Sequence, residues 1–340
     1  MKIAIIEAAP ITPEYDAGSR ALLDLYLSLQ ELGHETCFLF ESEIDLEESL
    51  SSIKPNIIFV SRPGLYQRTH PIYKSLKCKI IYIAHDLHFE RLSLQRKLLG
   101  DLSSVASELM RNIEKYCILT SDVTIFPTPD EAKYANELFE TDKAIGVKYF
   151  RFEEIPPRQH NGEISRLIFV GGSDHKPNQD GINWFVNNVF EEIKNQLPRI
   201  QLFIVGRWSQ EIQISLQQKD VIFSGLVSES ELFNLMNECD VGIAPLRFGA
   251  GMKRKVLNYM AHGIPVVSTS YGVQGLNPAV KNGVELASSP EEWINAIQLL
   301  NDQSYRRKQA LEASKFISEN FSVQHQRNEL ALLLKQVENI

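Results

Sequence analysis

Residues 249–267, GAGMKRKVLNYMAHGIPVV, decide the fold class of this chain. A short loop of small residues at 249–251 leads into a segment of helical character, and Gly263 stands where that helix would end. Ile264 and Pro265 then lead into the apolar run Val-Val-Ser. A loop, a helix and an apolar strand in this order are typical of an α/β domain with a parallel sheet.

The same stretch has the features of an anion site. Glycines let a ligand approach the backbone closely, and the following helix N-terminus presents N–H groups that have no partner within the helix. Lys253, Arg254 and Lys255 add positive charge there. Together with the helix dipole, these features predict a site for the phosphates of a nucleotide. The alternative is a loop without a ligand, which has the same local pattern.

Length and composition narrow the class of protein. At 340 residues the chain is long for one core, so two domains are predicted. An apolar share of 44% with 23% charged residues is typical of a globular enzyme, and the net charge of −8 argues against nucleic-acid binding. The four cysteines are widely spaced, which disfavours a metal cluster or a disulfide framework and suits a reducing cytoplasm. No signal peptide or membrane span is predicted.

Apolar runs alternate with helical patterns along the whole chain, which predicts parallel sheets with helices on both faces. Between the first two runs, Leu22, Leu25, Leu29 and Leu32 form one stripe of a helix over 19–32, which stops at Gly33. The predicted strands are 3–6, 36–40, 57–60, 80–84 and 124–126 in the first half, and 167–170, 202–205, 221–223, 241–245 and 265–268 in the second.

The segment 153–163, EEIPPRQHNGE, separates the two series of strands. It has two prolines and no apolar periodicity, as expected of an interdomain linker. We therefore expect a first domain over 1–155 and a second over 164–318. A final helix over 319–340 is expected to pack back towards the first domain. Two doubly wound, Rossmann-like domains of this kind would face a shared cleft, where ligands bind.

The loops that follow three strands of the second domain place glycines near cations. Gly171-Gly172 with Lys176 follow the first strand, Gly206-Arg207 follow the second, and the loop at 249–251 follows the fourth. The carboxyl ends of parallel strands meet at one edge of the sheet, so these loops converge, which favours a phosphate site. The chain lacks GxxxxGK[ST], and it has Ala-Ala-Pro where a GxGxxG would follow the first strand. A P-loop NTPase is therefore excluded and a dinucleotide oxidoreductase disfavoured.

These motifs carry a family resemblance. The segments FVGGSDHKPNQDGINWF, LFIVGRW, VIFSGLV and ECDVGIAPLRFGAGMKRKVLNYMAHGIPVVSTSYGVQGL follow one another in the order and spacing of family 4 glycosyltransferases with the GT-B fold. TPEYDAGSRA and IAHDLHFER in the first domain resemble a bacterial branch of this family that builds surface polysaccharides. The resemblance covers nearly the whole chain.

The resemblance implies a retaining, metal-independent hexosyl-type transferase without a cofactor. Such an enzyme moves a sugar from a nucleoside diphosphate donor to a hydroxyl of a glycan or lipid-linked acceptor in surface polysaccharide biosynthesis. It implies a cytoplasmic protein that can rest peripherally on the inner face of the plasma membrane. An alternative stays open: a catalytically inactive homologue that acts as a nucleotide-sugar or glycan-binding partner. An epimerase on the same fold would need cleft carboxylates that the sequence does not point to.

On the donor side, the resemblance implies that Arg207 and Lys255 neutralise the diphosphate. Fixed cations stabilise a leaving group whose negative charge grows in the transition state. The alternatives are a surface ion pair or packing beside Trp208 for Arg207, and a solvated position for Lys255. Lys253 is a weaker candidate. The implied donor-binding residues are Gly171, Gly172, Lys176, Arg207, Gly249, Ala250, Gly251, Met252, Lys255 and Asn258.

The chain departs from the family at two positions. The family has two glutamates separated by seven residues, where this chain has Ala250 and Asn258. The first loss is common to the branch that the chain resembles, in which the backbone of the glycine loop takes over. An asparagine can still bind a ribose hydroxyl, but as a neutral amide instead of a charged acceptor. This departure is what keeps the inactive homologue open.

On the first-domain side, the resemblance implies that His85 orients the reacting sugar. Asp16 and Ser19 are also good helix N-cap residues, and a histidine after a buried strand can be purely structural, so these alternatives remain. No carboxylate pair has a spacing that would impose a nucleophile, and the acceptor's base stays unnamed. The implied acceptor-side residues are Asp16, Gly18, Ser19, Arg20, Asp86 and His88.

Residues 62–97 form a locally basic stretch in an acidic protein. Only Asp86 and Glu90 oppose its cations within the stretch. It could bind a lipid-linked diphosphate or an anionic membrane, where each nearby cation contributes about 1 kcal/mol. The alternative is a solvated face. The cations are Arg62, Arg68, Lys74, Lys77, Lys79, Arg91, Arg96 and Lys97.

Overall fold

The structure is a computed structural model that describes residues 1–14, 16–100, 104–155, 162–217, 220–276 and 283–340. Contacts divide the chain into two compact units. The first unit comprises Met1–Arg151, Ala250–Met252 and Val323–Ile340, and the second comprises Phe152–Gly249 and Lys253–Ser322. Of the predicted linker, residues 156–161 lie outside the described residues.

The first unit contains a parallel sheet of six strands in the order β2-β1-β3-β4-β5-β6. Its inner strands are almost continuously apolar and buried, as expected where helices cover both faces, whereas the two edge strands are mostly only partly buried. The strands are β1 Lys2–Glu7, β2 Glu35–Phe40, β3 Ile57–Ser61, β4 Lys79–Ile83, β5 Val123–Phe126 and β6 Ala144–Gly146. The helices that follow them are α1 Ala17–Glu31, α2 Leu46–Ile53, α3 Pro63–Lys74, α4 His88–Leu99, α5 Ser104–Thr120 and α6 Pro129–Phe139.

Helix α1 follows from its sequence. The Asp16 side chain accepts from the Ser19 amide at 2.7 Å and caps the helix, while Leu22, Leu25 and Leu29 are buried on one stripe. The last helix of the chain, Val323–Glu338, packs on α1 within the first unit. Its buried Gln326 accepts from the Ser28 hydroxyl of α1.

The second unit contains another parallel sheet of six strands, in the order β12-β11-β10-β7-β8-β9. Trp293 and Phe185 lie in its core. The strands are β7 Arg166–Val170, β8 Gln201–Val205, β9 Val221–Gly225, β10 Val241–Ala244, β11 Val266–Ser268 and β12 Val284–Leu286. The helices, with the last helix of the chain numbered after them, are α7 Lys176–Phe185, α8 Glu191–Gln196, α9 Gln210–Ser215, α10 Glu229–Glu238, α11 Arg254–Ala261, α12 Pro290–Asn301, α13 Gln303–Phe321 and α14 Val323–Glu338.

Both sheets are doubly wound, which fixes where their loops meet. The strand order reverses between β1 and β3 in the first sheet and between β7 and β10 in the second. Loops at such a switch point leave in opposite directions and open a crevice at the carboxyl ends of the strands. The crevice of each sheet is therefore formed by the loops after these two strands.

The predicted strands are all present, and the predicted α/β class of two doubly wound sheets is confirmed. Strands β6 and β12 were missed because each has only three residues and no apolar run long enough to be recognised. The strand predicted from Pro265 begins at Val266. None of the helices in the described part of the chain is both long and apolar enough to cross a membrane.

Candidate functional site

Hydrogen bonds connect the loops after β7 and β8. The Gly171 amide donates to the Val205 carbonyl at 2.8 Å, and the Ser173 amide donates to the Arg207 carbonyl at 2.9 Å. The buried Trp208 indole donates to the Gly171 carbonyl at 2.8 Å. These bonds fix the backbone on both sides of Arg207, whose side chain is exposed. Trp208 thus holds the loop, and Arg207 remains available to a ligand.

Lys255 projects from α11 to the same edge of the second sheet. Its ammonium donates to Asn178 Oδ1 at 2.6 Å and lies 3.9 Å from the centre of the Phe169 ring. Burial of the ammonium, and then the charge of nearby Lys253, hold the pKa of Lys255 well below its ordinary value. No carboxylate of the described residues compensates its charge. The alternative of a solvated position for Lys255 does not hold, because its ammonium is packed against Asn178 and the Phe169 ring.

Gly171 makes room for this ammonium. A Cβ atom there would lie 2.8 Å from Lys255 Nζ and 2.6 Å from Asn178 Nδ2, and its φ of +150° also disfavours side chains. Asn178 Nδ2 donates to the Gly172 carbonyl at 2.9 Å. Gly171 therefore leaves room for the ammonium, and Gly172 binds Asn178, which in turn accepts from the ammonium.

The remaining second-unit candidates have distinct surroundings. Helix α11 begins at Arg254, so Lys253 is its N-cap residue, and Arg254 is buried over the Phe152 ring at 5.0 Å. Arg254 is thereby occupied with packing. Asn258 follows Lys255 by three residues on α11 and is half-buried. Lys176 starts α7, is exposed, and donates to Gln179 at 3.1 Å.

The glycine loop is split between the units: Gly249 belongs to the second, and Ala250–Met252 belong to the first. The Gly251 amide donates to the Glu131 carboxylate at 2.9 Å. Gly251 has φ +73°, and a Cβ atom there would lie 2.7 Å from the His85 carbonyl oxygen. Only glycine fits this position. Its amide, predicted to serve the phosphates, already has a carboxylate acceptor, which a phosphate would have to replace.

In the first unit, Arg62 connects two carboxylates at the switch point of the sheet. Its guanidinium lies 3.1 Å from Asp16 Oδ2 and 3.6 Å from Glu7 Oε2. Burial alone would raise the pKa of Asp16, but hydrogen bonds from Ser19 and the charge of Arg62 outweigh burial and lower it. Glu7 Oε2 is buried and, among the described residues, has no hydrogen-bond donor. Gly18 allows this packing, since a Cβ atom there would lie 3.0 Å from Arg62.

Arg62 also has an uncommon backbone conformation, with φ +73°. A non-glycine residue in that region costs about 1 kcal/mol or more and often lies at a functional site. By contrast, Arg20, which was predicted on the acceptor side, donates to Asp24 at 3.2 Å along its own helix. Arg62 was predicted only as one cation of the basic stretch, because neither its backbone conformation nor its carboxylate partners can be recognised from the sequence.

His85 lies after β4 and is held in one orientation. Its Nε2 is 2.9 Å from the Ser61 hydroxyl, and its ring packs edge-on against Tyr149. Burial, and then the charge of Arg62, lower the pKa of His85 to about 3. The imidazole is therefore neutral near pH 7, so it can position a hydroxyl but is not a proton donor in its charged form.

Asp86 and His88 are engaged in fixing the start of α4. The buried Glu114 carboxylate accepts from the His88 and Phe89 amides at 2.8 and 3.0 Å and from the His88 ring at 3.1 Å. Asp86 binds Arg91 at 2.9 Å. Burial opposes protonation of His88, but Glu114 and Asp86 outweigh it and raise its pKa. Both residues thus support the His85 loop, and their contact with an acceptor stays a prediction.

The basic stretch 62–97 has a smaller excess of positive charge in the folded protein than its sequence indicates. Arg68 pairs with Glu41, Lys79 with Asp122, and Arg91 with Asp86, besides the pairs of Arg62. Most of these partners lie outside the stretch, so counting charges within it overestimated the local excess. Arg96 and Lys97 are exposed in the last turn of α4, where cations are favourable to the helix dipole.

Comparisons with known proteins agree with this geometry. Residues 164–303 match the family model of the glycosyl transferases group 1. An uncharacterized 44.6 kDa protein in the cps region of Klebsiella pneumoniae is 23% identical over 369 residues, covering 90% of this chain and 94% of the relative.

Two solved structures cover nearly the whole chain. Sucrose-phosphate synthase from Thermosynechococcus elongatus has a TM-score of 0.78 and 14% identity, covering 100% of this chain and 99% of that protein. Anabaena Alr3699/HepE in complex with UDP-glucose has a TM-score of 0.69 and 14% identity, covering 99% of this chain and 100% of that protein.

The two doubly wound sheets give the chain the α/β architecture of the GT-B fold. Residues 164–303 are similar to the glycosyl transferases group 1, and this match together with the shared fold bears out the resemblance found in the sequence.

Proposed function

We propose that the chain transfers a sugar from a nucleoside diphosphate donor to a hydroxyl group, with retention at the anomeric carbon. UDP-sugars are the first donors to test, because Alr3699/HepE, which has the same fold, was solved with UDP-glucose. A glycan or lipid-linked acceptor of surface polysaccharide synthesis is proposed because the Klebsiella relative comes from a cps region.

The pair Arg207 and Lys255 carries this proposal. Arg207 lies in the loop after β8 and Lys255 lies on α11, both at the carboxyl ends of the strands of the second sheet. Neither cation is compensated by a carboxylate of the described residues. A diphosphate leaving group gains charge as the glycosidic bond breaks, so fixed cations stabilise the transition state more than the ground state. They can supply the neutralisation for which other transferases use a metal ion, and we therefore propose metal-independent transfer.

The first unit would hold the acceptor. Neutral His85 can orient a sugar hydroxyl through whichever ring atom Ser61 leaves accessible, and the carboxylate of Asp16 can accept from hydroxyl groups. No protein base is assigned for the acceptor proton. The leaving phosphate can take it, since its oxygens become more basic as the bond to the sugar breaks.

Release of nucleoside diphosphate from UDP-glucose, GDP-mannose and dTDP-glucose tests the proposal, with and without EDTA. We expect slow hydrolysis of one donor, unchanged by EDTA and accelerated by an acceptor glycan. The α anomer in the product of an α-linked donor, observed by NMR, would support retention. Activity that EDTA abolishes would contradict metal independence, and a β product would contradict retention.

One observation favours a second candidate, a binding protein without turnover. Asn258 stands on α11 where the family has a glutamate for the ribose, and an amide is a weaker acceptor than a carboxylate. A parent protein that binds UDP in calorimetry but consumes no donor in the presence of acceptor glycans would favour this candidate.

A further inference from the structure

Asn178 was not among the predicted site residues, yet both ends of its amide are used at the donor edge. It lies in the first turn of α7 and is only 5% exposed. Its Oδ1 accepts from Lys255 Nζ at 2.6 Å, and its Nδ2 donates to the Gly172 carbonyl at 2.9 Å. The backbone bond thereby fixes which end of the amide faces the lysine.

The chemistry of this contact suits a lysine that is to meet a diphosphate, because a nearby anion favours the charged form of the amine and opposes the lowering of its pKa by burial. A lysine side chain is flexible, so an acceptor is needed to hold its ammonium in one place. An amide oxygen accepts one of the three ammonium protons without cancelling the charge, which leaves the others for a ligand. A carboxylate in its place would compensate the ammonium and repel a diphosphate.

The surroundings of the ammonium strengthen this point. On its other sides lie the Phe169 ring, whose face attracts cations, and the backbone of Gly171, where a Cβ atom would collide with Nζ. Because no carboxylate is present among the described residues around it, the position of Nζ depends on Asn178 more than on any ion pair.

We propose that Asn178 is a positioning residue that aims Lys255 at the donor diphosphate, and that this position requires a neutral side chain. The proposal rests on the proposed nucleoside diphosphate donor. It also explains the spacing of the sequence Gly171-Gly172 and Lys-Pro-Asn, since the asparagine bridges the glycine loop and the lysine of α11.

A double-mutant cycle on UDP binding, measured by calorimetry, tests the proposal. The four proteins are the parent, Asn178→Ala, Lys255→Ala and the double variant. Since a hydrogen bond to a charged group is lost, we expect Asn178→Ala to weaken UDP binding about tenfold, which corresponds to about 1.4 kcal/mol. If Asn178 acts through Lys255, the double variant should bind no more weakly than Lys255→Ala. Additive losses would overturn the proposal.

Asn178→Asp tests the requirement for neutrality with a side chain of the same size. We expect weaker UDP binding than in Asn178→Ala, because the new carboxylate compensates Lys255 and repels the diphosphate. Asn188→Asp is the matched control. The exposed amide of Asn188 donates to the Trp184 carbonyl, and the variant adds the same charge on the helical turn Val186–Phe190, which directly continues α7. Parent-like UDP binding by Asn178→Asp would overturn the proposal even if Asn178→Ala failed to fold.

The result for the parent separates this proposal from the proposed function. A folded parent that binds none of UDP, GDP and dTDP contradicts both. A parent that binds one of them, together with an additive cycle or a tolerated Asn178→Asp, contradicts only the role of Asn178.

Discussion

The switch points of the two sheets hold opposite charge arrangements. Between β1 and β3, the Arg62 guanidinium lies between two carboxylates, 3.1 Å from Asp16 and 3.6 Å from Glu7. At the second switch point, between β7 and β10, the Lys255 ammonium is held by a neutral amide at 2.6 Å, and Arg207, in the loop after the adjacent strand β8, is exposed. Equivalent places in two doubly wound sheets therefore differ in whether the cation is already compensated.

This difference indicates what each sheet can bind at the carboxyl ends of its strands. We call this place in the first sheet, with Arg62, the first edge, and in the second sheet, with Lys255 and Arg207, the second edge. A compensated guanidinium gains little from a diphosphate, and the neighbouring carboxylates repel it, whereas carboxylates and a neutral imidazole suit hydroxyl groups. An uncompensated ammonium and guanidinium suit a diphosphate, since they need no rearrangement when charge develops. These charges are the reason why the donor is proposed to bind at the second edge and an acceptor rich in hydroxyls at the first.

The strongest test of the comparison removes the uncompensated cations. Lys255→Ala and Arg207→Ala should each lower donor turnover at least about tenfold, because each charge-assisted contact contributes about 1.5–3 kcal/mol. Release of nucleoside diphosphate measures the effect, and thermal unfolding checks the fold. Lys308→Ala, which removes an exposed lysine of α13, is the control and should keep parental activity. Unchanged turnover in both site variants would contradict the assignment.

The next test breaks the compensated arrangement. Arg62→Ala should reduce the free energy of unfolding by roughly 1–3 kcal/mol, because it leaves the buried Glu7 carboxylate without its cation. Urea denaturation measures the change. Arg68→Ala, which removes an exposed pair with Glu41, is the control and should cost less than about 1 kcal/mol. UDP affinity should stay parental in Arg62→Ala, and its loss would show that the two edges do not divide the substrates as described.

A smaller effect is expected at Asn258, the family departure on α11. It lies one turn after Lys255, so it can reach the ribose of a nucleotide whose phosphates meet that lysine. Asn258→Ala should weaken UDP binding by about 1 kcal/mol, and Asn258→Glu should hold or tighten it. Calorimetry with UDP measures the affinities of the parent and of both variants. No nucleotide binding in the parent with good binding in Asn258→Glu would mark Asn258 as a disabling change.

The smallest expected effect concerns the protonation of His85 in the first unit. Since the pKa of His85 is lowered to about 3, its ring should not titrate between pH 5 and 8 by NMR, whereas His88, whose pKa is raised, should stay protonated to a higher pH than an ordinary histidine. A folded-state pKa below that of the unfolded chain means that stability falls as the pH drops below the ordinary histidine value. His85→Gln should therefore lose less stability at acid pH than the parent. A His85 resonance that titrates near pH 6.5 would contradict a neutral imidazole held by Ser61.

A feature could be predicted from the sequence where it leaves a pattern among neighbouring residues. The long apolar strands and the glycine-to-cation loops are local patterns, so the two sheets and the placement of Lys255 on its helix could be predicted. The partners of Arg62 come from different strands and loops, and the Asn178–Lys255 contact joins residues 77 positions apart. Such contacts depend on the tertiary fold. Counting charges along 62–97 overestimated the basic excess for the same reason.

Comparing UDP with uridine in calorimetry tests the central claim most directly, because the two ligands differ only in the diphosphate. Uncompensated cations at the second edge predict that UDP binds at least about tenfold more tightly than uridine, a difference of about 1.4 kcal/mol. They also predict that most of this difference disappears in Lys255→Ala. Equal binding of UDP and uridine by the parent, or an unchanged difference in Lys255→Ala, would contradict the claim that this edge binds the donor through its diphosphate.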